Sequence, residues 1–513
     1  MSTIKKLLLV AMACVLCFVL VACGDDNKTE NNTTDNKKNE TVKATDTPTP
    51  TQGEKQPEAT ATPTLTPIPD RDLKGLAVVV GDWWSGDSWE FPRNNAAEEK
   101  TADWQEEMME KYHYTIKRAT ICGWGDQAET CLLSITSNEP LAQVMTFDYR
   151  FIGSFMAQEE PLFADVSKLG IFDFNDSKWN KYVVESMTVG SAIYGFANGK
   201  EPRTGIYFNK DLIEKALGAE WREKPYDLQA SGDWTWATFD KLCEDLLVKI
   251  GDSDGDGATD VYPLLIQNSV FAEMAMVSNG CHAIVTRNAD GKYVNNCSNQ
   301  EVIDDLNWAY SYYTKGYARA ALEGEQSWDF FETRWQEQKC VMIAHDEYRA
   351  SAFIAKNDDG SRQFDFDWGF VCFPKGPKAS DYQPVARENV NAIANCPATQ
   401  PVLADIAFAY DIFTSKAPEV KDDPSAWAGA YENLFADKRS VHETLDRMIN
   451  GKTEPFANPS YIVPGLYDNN NGLIQAKIYY SFDSNAQTPA ELLATYSSEI
   501  DNAINDFNTN RVK

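Results

Sequence analysis

Apolar runs and amphipathic periods alternate along the chain from residue 76 onward. Leu76-Ala-Val-Val-Val80 is a continuous, largely β-branched run, the pattern of a strand buried on both faces. Ala97, Trp104, Met108 and Tyr112 share one face of a predicted helix. A strand near Tyr114 to Ile121, a helix near Glu129 and a strand over Val144 to Phe147 follow. This order predicts βαβ units, a parallel sheet and helices on its faces. Ligands of such sheets lie off the carboxyl ends of the strands. Two loops therefore become candidates for a site: Trp83-Trp84 after one strand, and Asp148, Tyr149 and Arg150 after another.

The stretch from Ile193 to Ala216 interrupts this rhythm. Gly195, Gly199, Pro202 and Gly205 make the backbone turn and extend rather than coil. Ile206-Tyr207-Phe208 reads as a short strand, and Asn209-Lys210-Asp211 opens a helix with Leu212, Ile213 and Ala216 at helical spacing. On local grammar alone it is a surface loop between two elements. Beyond it, Phe239, Leu242, Cys243, Leu246, Leu247 and Ile250 form the apolar face of a helix that begins at Trp234-Thr235-Trp236 and stops at Gly251. Val302, Leu306, Ala309, Tyr310 and Tyr313 mark another. An apolar strand follows Lys339 and runs into His345-Asp346-Glu347-Tyr348. The last helix has a capping box at Thr488-Pro489-Ala490-Glu491 and the face Leu493, Tyr496, Ile500, Ile504, Phe507.

The amino terminus reads as an address. Lys5 and Lys6 precede an apolar run, Leu7 to Leu20, that is too short for a typical spanning helix. It ends in Leu20-Val21-Ala22-Cys23-Gly24, which resembles a bacterial lipobox; the alternative is a plain secretory signal with an incidental Cys. Residues 24 to 69 are polar and then Thr-Pro rich, which predicts a disordered tether spanning roughly 35–40 Å. A length of 513 residues exceeds what one core serves, so two lobes are expected. A net charge of −30 argues against a nucleic-acid partner, because phosphates need Lys and Arg.

Cys122 with Cys131, and Cys281 with Cys297, are the candidate disulfides of an exported protein, with free thiols as the alternative if the source lives without oxygen. Transition-metal ligand spacing is absent. Asp252-Ser-Asp254-Gly-Asp256-Gly-Ala-Thr-Asp260 places carboxylates at positions 1, 3, 5 and 9 and Gly257 at 6, most of a calcium loop. Pro263 stands where an EF-hand needs a bidentate Glu, so the choice is between a structural Ca2+ site and a solvated acidic turn.

Taken in order, these features resemble the extracellular solute-binding proteins of bacterial ABC transporters, the maltose-binding-protein-like group. Tyr194-Gly195, the extended link and Tyr207-Phe208-Asn209-Lys210-Asp211-Leu212 resemble that family's first interlobe crossover. Trp234-Thr235-Trp236 resembles the start of its Thr-Trp-Asp-Glu-Phe helix, with Ala237 and Thr238 in place of the acids. Val341-Met342 and the turn ending at Tyr348 resemble a strand whose following aromatic faces the sugar. Phe366 to Pro377 resembles the family's Trp-Gly…Pro-x-Pro-Lys-Gly strand, ahead of a second crossover near Lys378 to Arg387. Asn391-Ala-Ile-Ala and the helix after Pro401 resemble the return to the first lobe. The resemblance covers roughly residues 73 to 510 and rests on order and spacing rather than on one motif.

It implies an α/β, periplasmic-binding-protein-like fold: two lobes, each a mainly parallel sheet flanked by helices, with hinge crossovers at the interlobe cleft. The implied organisation is a signal peptide over 1–22, lipidated Cys23 and linker over 23–70, lobe 1 over 71–197 plus 388–435, and lobe 2 over 198–387 plus 436–513. It implies a non-enzymatic, monomeric receptor, palmitoylated at Cys23 on the extracytoplasmic face of a Gram-positive cell membrane, that captures a sugar or oligosaccharide and delivers it to an ABC permease. Pyranose C–H faces stack on aromatics, which nominates Trp83, Trp84, Tyr149 and Tyr348; Asp148, Arg150, Asp346 and Glu347 are nominated for hydroxyls. The metal candidates are Asp252, Asp254, Asp256 and Asp260. A surface-anchored glycoside hydrolase and a transport-independent glycan-binding or sensory module are the alternatives; His-Glu-x-x-His does not occur, and Gly-x-Ser-x-Gly spacing occurs only within the acidic loop, at Gly251 to Gly255.

Overall fold

The computed structural model describes residues 70–320, 329–355, 365–421, 423, 427–435, 437–467, 471–484 and 486–510. The predicted signal, Cys23 and the tether up to residue 69 lie outside the described residues. Those described belong to one compact unit, 69–513. Its main elements are β1 (Leu76–Asp82), α1 (Ala96–Tyr112), β2 (Tyr114–Thr120), α2 (Gln127–Thr136), β3 (Val144–Phe147), β4 (Gly205–Asn209), α3 (Lys210–Leu217), α4 (Trp236–Ile250) and β5 (Tyr262–Ile266). They continue with α5 (Asn268–Ser278), α6 (Gln300–Thr314), β6 (Cys340–His345), β7 (Trp368–Cys372), β8 (Val390–Ile393), α7 (Leu403–Phe413) and α8 (Pro489–Asn510).

Local chemistry explains most boundaries. The Asn95 side chain accepts from the N–H groups of Ala97 and Glu98 and starts α1. Asn209 ends β4 and caps α3 in the same stroke, accepting the Leu212 N–H at 2.9 Å. Thr235 and Thr238 form the capping box of α4, so the Thr238 hydroxyl does what the resemblance assigns to an acid. The predicted box at α8 is present: Thr488 N–H donates to Glu491 at 2.8 Å, and Glu491 N–H to the Thr488 hydroxyl at 3.3 Å.

Two four-stranded sheets result, in the orders β8-β3-β1-β2 and β7-β4-β6-β5. In the first, β1 pairs parallel with β2 and β3, and only β8 is antiparallel. In the second, β6 and β5 are parallel, whereas β4 runs against both β6 and β7. One cause serves both reversals. β4 and β8 are the strands by which the chain enters each sheet from the other one. Each starts at the carboxyl edge of its new neighbours: Gly205 opposite His345 and Cys372, Val390 opposite Phe147. A strand that begins where its neighbours end must run the other way. At that entry a Cβ on Gly205 would lie 2.4 Å from the Val371 carbonyl oxygen, so the position accepts only glycine.

Among the described residues the chain passes between the halves three times. The first pass runs from Phe196, bridged to Asn391, to Gly205. The second runs from β7 through the Val385–Ala386 pairing with Phe456–Ala457 to β8. The third leads from α7 past Gly429, which lies against Asn95, to Phe435, whose ring packs 5.6 Å from Phe370. One apolar cluster, with Val78, Val80, Tyr112, Ile406 and Tyr410, stays on one side of the first sheet. A second begins at Met145 and Phe147 and runs on without a break into the β4–β7 half, so the apolar core continues across the seam.

The expected disulfides are absent. All eight cysteines among the described residues carry free thiols. The Cys122 and Cys131 thiols lie close enough to shift one another's titration, while the Cys297 thiol feels Ser497 on α8.

Candidate functional site at the seam between the sheets

The carboxyl ends of β1, β3 and β6 all face the seam, and the residues just past them take defined roles. Asp82, fully buried, accepts the N–H groups of Trp84 and Ser85 at 3.0 and 2.8 Å and so shapes the loop that carries the indoles. Trp83 and Trp84 meet edge-on at 4.4 Å; Trp83 is half-buried and Trp84 is 46% exposed. Arg118, ion-paired to Asp82 at 3.4 Å, lies 5.9 Å over the Trp84 ring.

Past β3, Asp148 and Arg150 form a two-pronged pair at 2.7 and 2.6 Å. Burial alone would lift the Asp148 carboxyl, but Arg150 outweighs it and holds the group below the ordinary carboxylate range. Arg150 also lies 4.6 Å over Trp124, a residue the sequence did not single out. Tyr149 is buried and packs against Tyr461 at 4.7 Å.

Past β6, Asp346 receives the Thr204 hydroxyl at 2.5 Å and the Arg387 guanidinium at 3.1 Å. Arg387, wholly buried, also contacts Thr204, reaches the Tyr149 hydroxyl at 3.5 Å and pairs with Glu273 of α5 at 3.7 Å. Asn458 donates to Glu273 at 2.7 Å, and Tyr461 donates to it as well. The Tyr207 hydroxyl holds the turn by donating to the carbonyls of Asp346 and Glu347 at 3.0 and 2.8 Å. Glu347 is paired to Arg203 at 3.4 Å, and Arg203 also pairs with Glu201. Tyr348 stays 45% exposed and sits within electrostatic reach of Arg150 and Asp148 from the opposite half.

Six of the eight nominated binding residues therefore converge on the seam from two sheets: Asp148, Tyr149, Arg150, Asp346, Glu347 and Tyr348. Tyr149 and Asp346 spend their polar atoms largely on protein partners. Trp84 instead lines a cavity of about 390 Å³ beside the first sheet, bounded by α1, the end of β2, the end of α7 and both crossing segments. Trp89, Phe91 and Phe413 supply its aromatic wall, with ring centroids 5.0–5.9 Å apart. Arg118, Thr146 and Asn391 supply hydrogen-bonding groups, and Glu201 and Glu388 stand at the crossings. Of these cavity residues, sequence reasoning found Trp84 and missed the others.

The acidic loop lies elsewhere. Carboxylate oxygens of Asp252, Asp254 and Asp260 come within 4.8 Å of one another, while Asp256 is turned to the Ala258 N–H at 2.7 Å. Hard oxygen donors in that number suit Ca2+ as part of a shell that water completes.

The crossings carry a pH signature. Burial pushes the Glu347 carboxyl from its ordinary 4.5 up to about 8 and that of Glu388 to about 7, with repulsion from Glu201 adding to both. A raised carboxyl keeps its proton to a higher pH in the fold than in the unfolded chain. Its stabilisation is full below 4.5 and is lost as pH rises through about 7 to 8. His345, lowered to about 3 by burial and by Arg349, acts oppositely at lower pH, so the comparison is made between variants. Glu347→Gln and Glu388→Gln are expected to flatten the fall in Tm between pH 5 and pH 8.5 and to raise Tm at the upper end by about 2–4 °C. Thermal melts across that range check it, and variants whose melting curves keep the parental slope refute it.

No family model matches the chain, and no curated protein matches it in sequence. Solved structures do match in shape. An ABC substrate-binding protein from Listeria monocytogenes, solved with cycloalternan, superposes with a TM-score of 0.53 at 15% identity, over 85% of this chain and 98% of its own. The GacH receptor of Streptomyces glaucescens, solved unliganded and with acarbose, gives 0.55 at 13% identity over 84% and 99%. The galacto-N-biose/lacto-N-biose I-binding protein of the ABC transporter from Bifidobacterium longum gives 0.55 at 12% over 85% and 98%. Two mixed sheets, joined by strands that enter each at its carboxyl edge and covering nearly the whole of these receptors, give this chain the periplasmic-binding-protein-like α/β fold.

Proposed function

We propose that this chain is a lipid-anchored extracytoplasmic receptor that captures a sugar or oligosaccharide between its two halves and delivers it to an ABC permease. The observation that carries the reading is the cavity where aromatic faces meet hydrogen-bonding groups beside both crossings, since pyranose rings need both. Solved neighbours that hold cycloalternan, acarbose and lacto-N-biose support it. Trp84 stacks on the solute with Trp83 behind it, while Arg150 and Tyr348 close on it from opposite halves. Asp148, Tyr149, Asp346 and Glu347 hold these groups in place. Closure is a hinge motion at residues 198–204 and 387–389, and the protein works as a monomer.

Acylation of Cys23 provides the anchor, and the tether holds the receptor off the membrane. No helix among the described residues is long and apolar enough to cross one. Ca2+ held by Asp252, Asp254 and Asp260 relieves their mutual repulsion and fixes the loop between α4 and β5.

Calorimetry of the mature chain carrying Cys23→Ser against a glycan panel is expected to give saturable binding without product. Trp84→Ala should cost about 2 kcal/mol, about 30-fold in affinity. Turnover at constant protein, or peptides binding where every sugar fails, would replace the reading. The parent sequence should partition with membranes and Cys23→Ser should not; equal partition removes the anchor. Ca2+ at millimolar concentration should raise Tm, and Asp252→Asn with Asp260→Asn should abolish the rise; a Tm indifferent to Ca2+ leaves a solvated acidic turn.

A further inference from the structure

The crossings hold more carboxyl groups than cations. Glu201, Glu273, Asp346, Glu347 and Glu388 gather around two guanidiniums, Arg203 and Arg387. Arg387 is taken by Asp346 and Glu273, and Arg203 by Glu201 and Glu347. Glu388 is left without a direct ion pair, with Arg203 acting on it only at longer range. Its side chain is 2% exposed; one oxygen accepts the Glu201 N–H at 3.1 Å, and the other has no hydrogen-bond partner. A buried carboxylate oxygen without a partner is costly, and such orphans call for an explanation. Of the nearby cations, Lys200 pairs with Glu454 and Arg118 with Asp82, while exposed Lys416 lines the same cavity without an ion pair to either glutamate.

Both Glu201 and Glu388 line the aromatic cavity. From the solute's side, its crossing end offers two carboxylates beside indole and phenyl faces. A hydroxyl can donate a single hydrogen bond there. A protonated amine donates up to three, each charge-assisted, and its charge offsets the surplus between the two glutamates. The same rings that stack on pyranose C–H faces also attract an ammonium.

We infer that the crossing end of the cavity is a seat for a protonated amine, so that the solute class is an amino sugar or an oligosaccharide that carries one. Glu388 receives the amine at its unpartnered oxygen, Glu201 flanks it, and the sugar ring lies on the aromatic wall. This rests on the carbohydrate-receptor reading above and narrows it.

The test is calorimetry at pH 7 on the mature chain carrying Cys23→Ser. The probes are glucose, galactose and mannose, their 2-amino and 2-acetamido derivatives, and the β-1,4-linked dimers of glucose, glucosamine and N-acetylglucosamine. At least one free-amine sugar is expected to bind more than tenfold tighter than both its hydroxyl parent and its acetylated form. The preference should fall to less than threefold in Glu388→Gln, with Glu201→Gln intermediate. Neutral or acetylated sugars binding as tightly as the amines overturn the inference and leave the receptor reading standing. A preference that survives Glu388→Gln also overturns it. The parental comparison decides the matter even where a variant folds poorly, which its melting curve reports. If no sugar of any kind binds, the carbohydrate reading itself falls, and the amine seat with it.

Discussion

The structure depends on neutralising charge that the chain cannot avoid burying where it passes between its sheets. Arg387 is fully enclosed, and Arg203, Asp346 and Glu347 nearly so. Taking such groups out of water costs several kcal/mol per ion, offset only where geometry and hydrogen bonding are good. The Arg387 guanidinium meets this demand by reaching four other places in the molecule at once: Thr204 on the other crossing, Asp346 after β6, Glu273 on α5 and Tyr149 after β3. Losing that cation would leave two carboxylates uncompensated in the interior. Buried pairs of this kind add little net stability, whereas removing one partner is costly.

Topology explains why these residues meet. A strand that enters a sheet from its carboxyl edge brings its preceding residues alongside those that follow the neighbouring strands. Thr204 thus lies beside Asp346, and Arg387 beside Tyr149. Residues far apart in sequence become neighbours through the two antiparallel pairings of β4 and the one of β8. The apolar continuity from Phe147 to Tyr461 and Tyr467 follows from the same placement, because the aromatic loop after β3 has nowhere to pack except against the other half.

Wherever a local rule sufficed, the sequence was legible. The apolar run of β1, the faces of α4, α6 and α8, the strand and cap at Phe208-Asn209 and the box at Thr488 each follow from period or capping chemistry. α5 was not, because ten of its eleven residues are buried and it shows no amphipathic period. Glu273, which it carries inward, was hidden for the same reason. Trp89 and Phe91 sit in an irregular segment before α1, where no periodicity distinguishes a cavity wall from a surface. Asp148 and Arg150 were legible as a pair after a strand, but their bond to each other, two residues apart, depends on the turn between them. The seam's remaining partners, Asn458 and Tyr461, come from a segment of short turns whose pattern predicts no element.

In the proposed receptor, cavity and hinge share residues, and binding would thereby be linked to closure. Glu201 belongs to the first crossing and Glu388 to the second, they are joined by the Glu201 N–H, and both face the cavity. Rotating one sheet against the other must change backbone angles at these crossings, since β4 and β8 are fixed within their sheets. It must therefore also change the spacing of the two carboxylates. A solute that contacts both has different free energies in the two arrangements, and that difference is the only quantity by which a ligand can shift such an equilibrium. A group touching only Trp84 and the aromatic wall would bind without that leverage, because the wall belongs to one half alone.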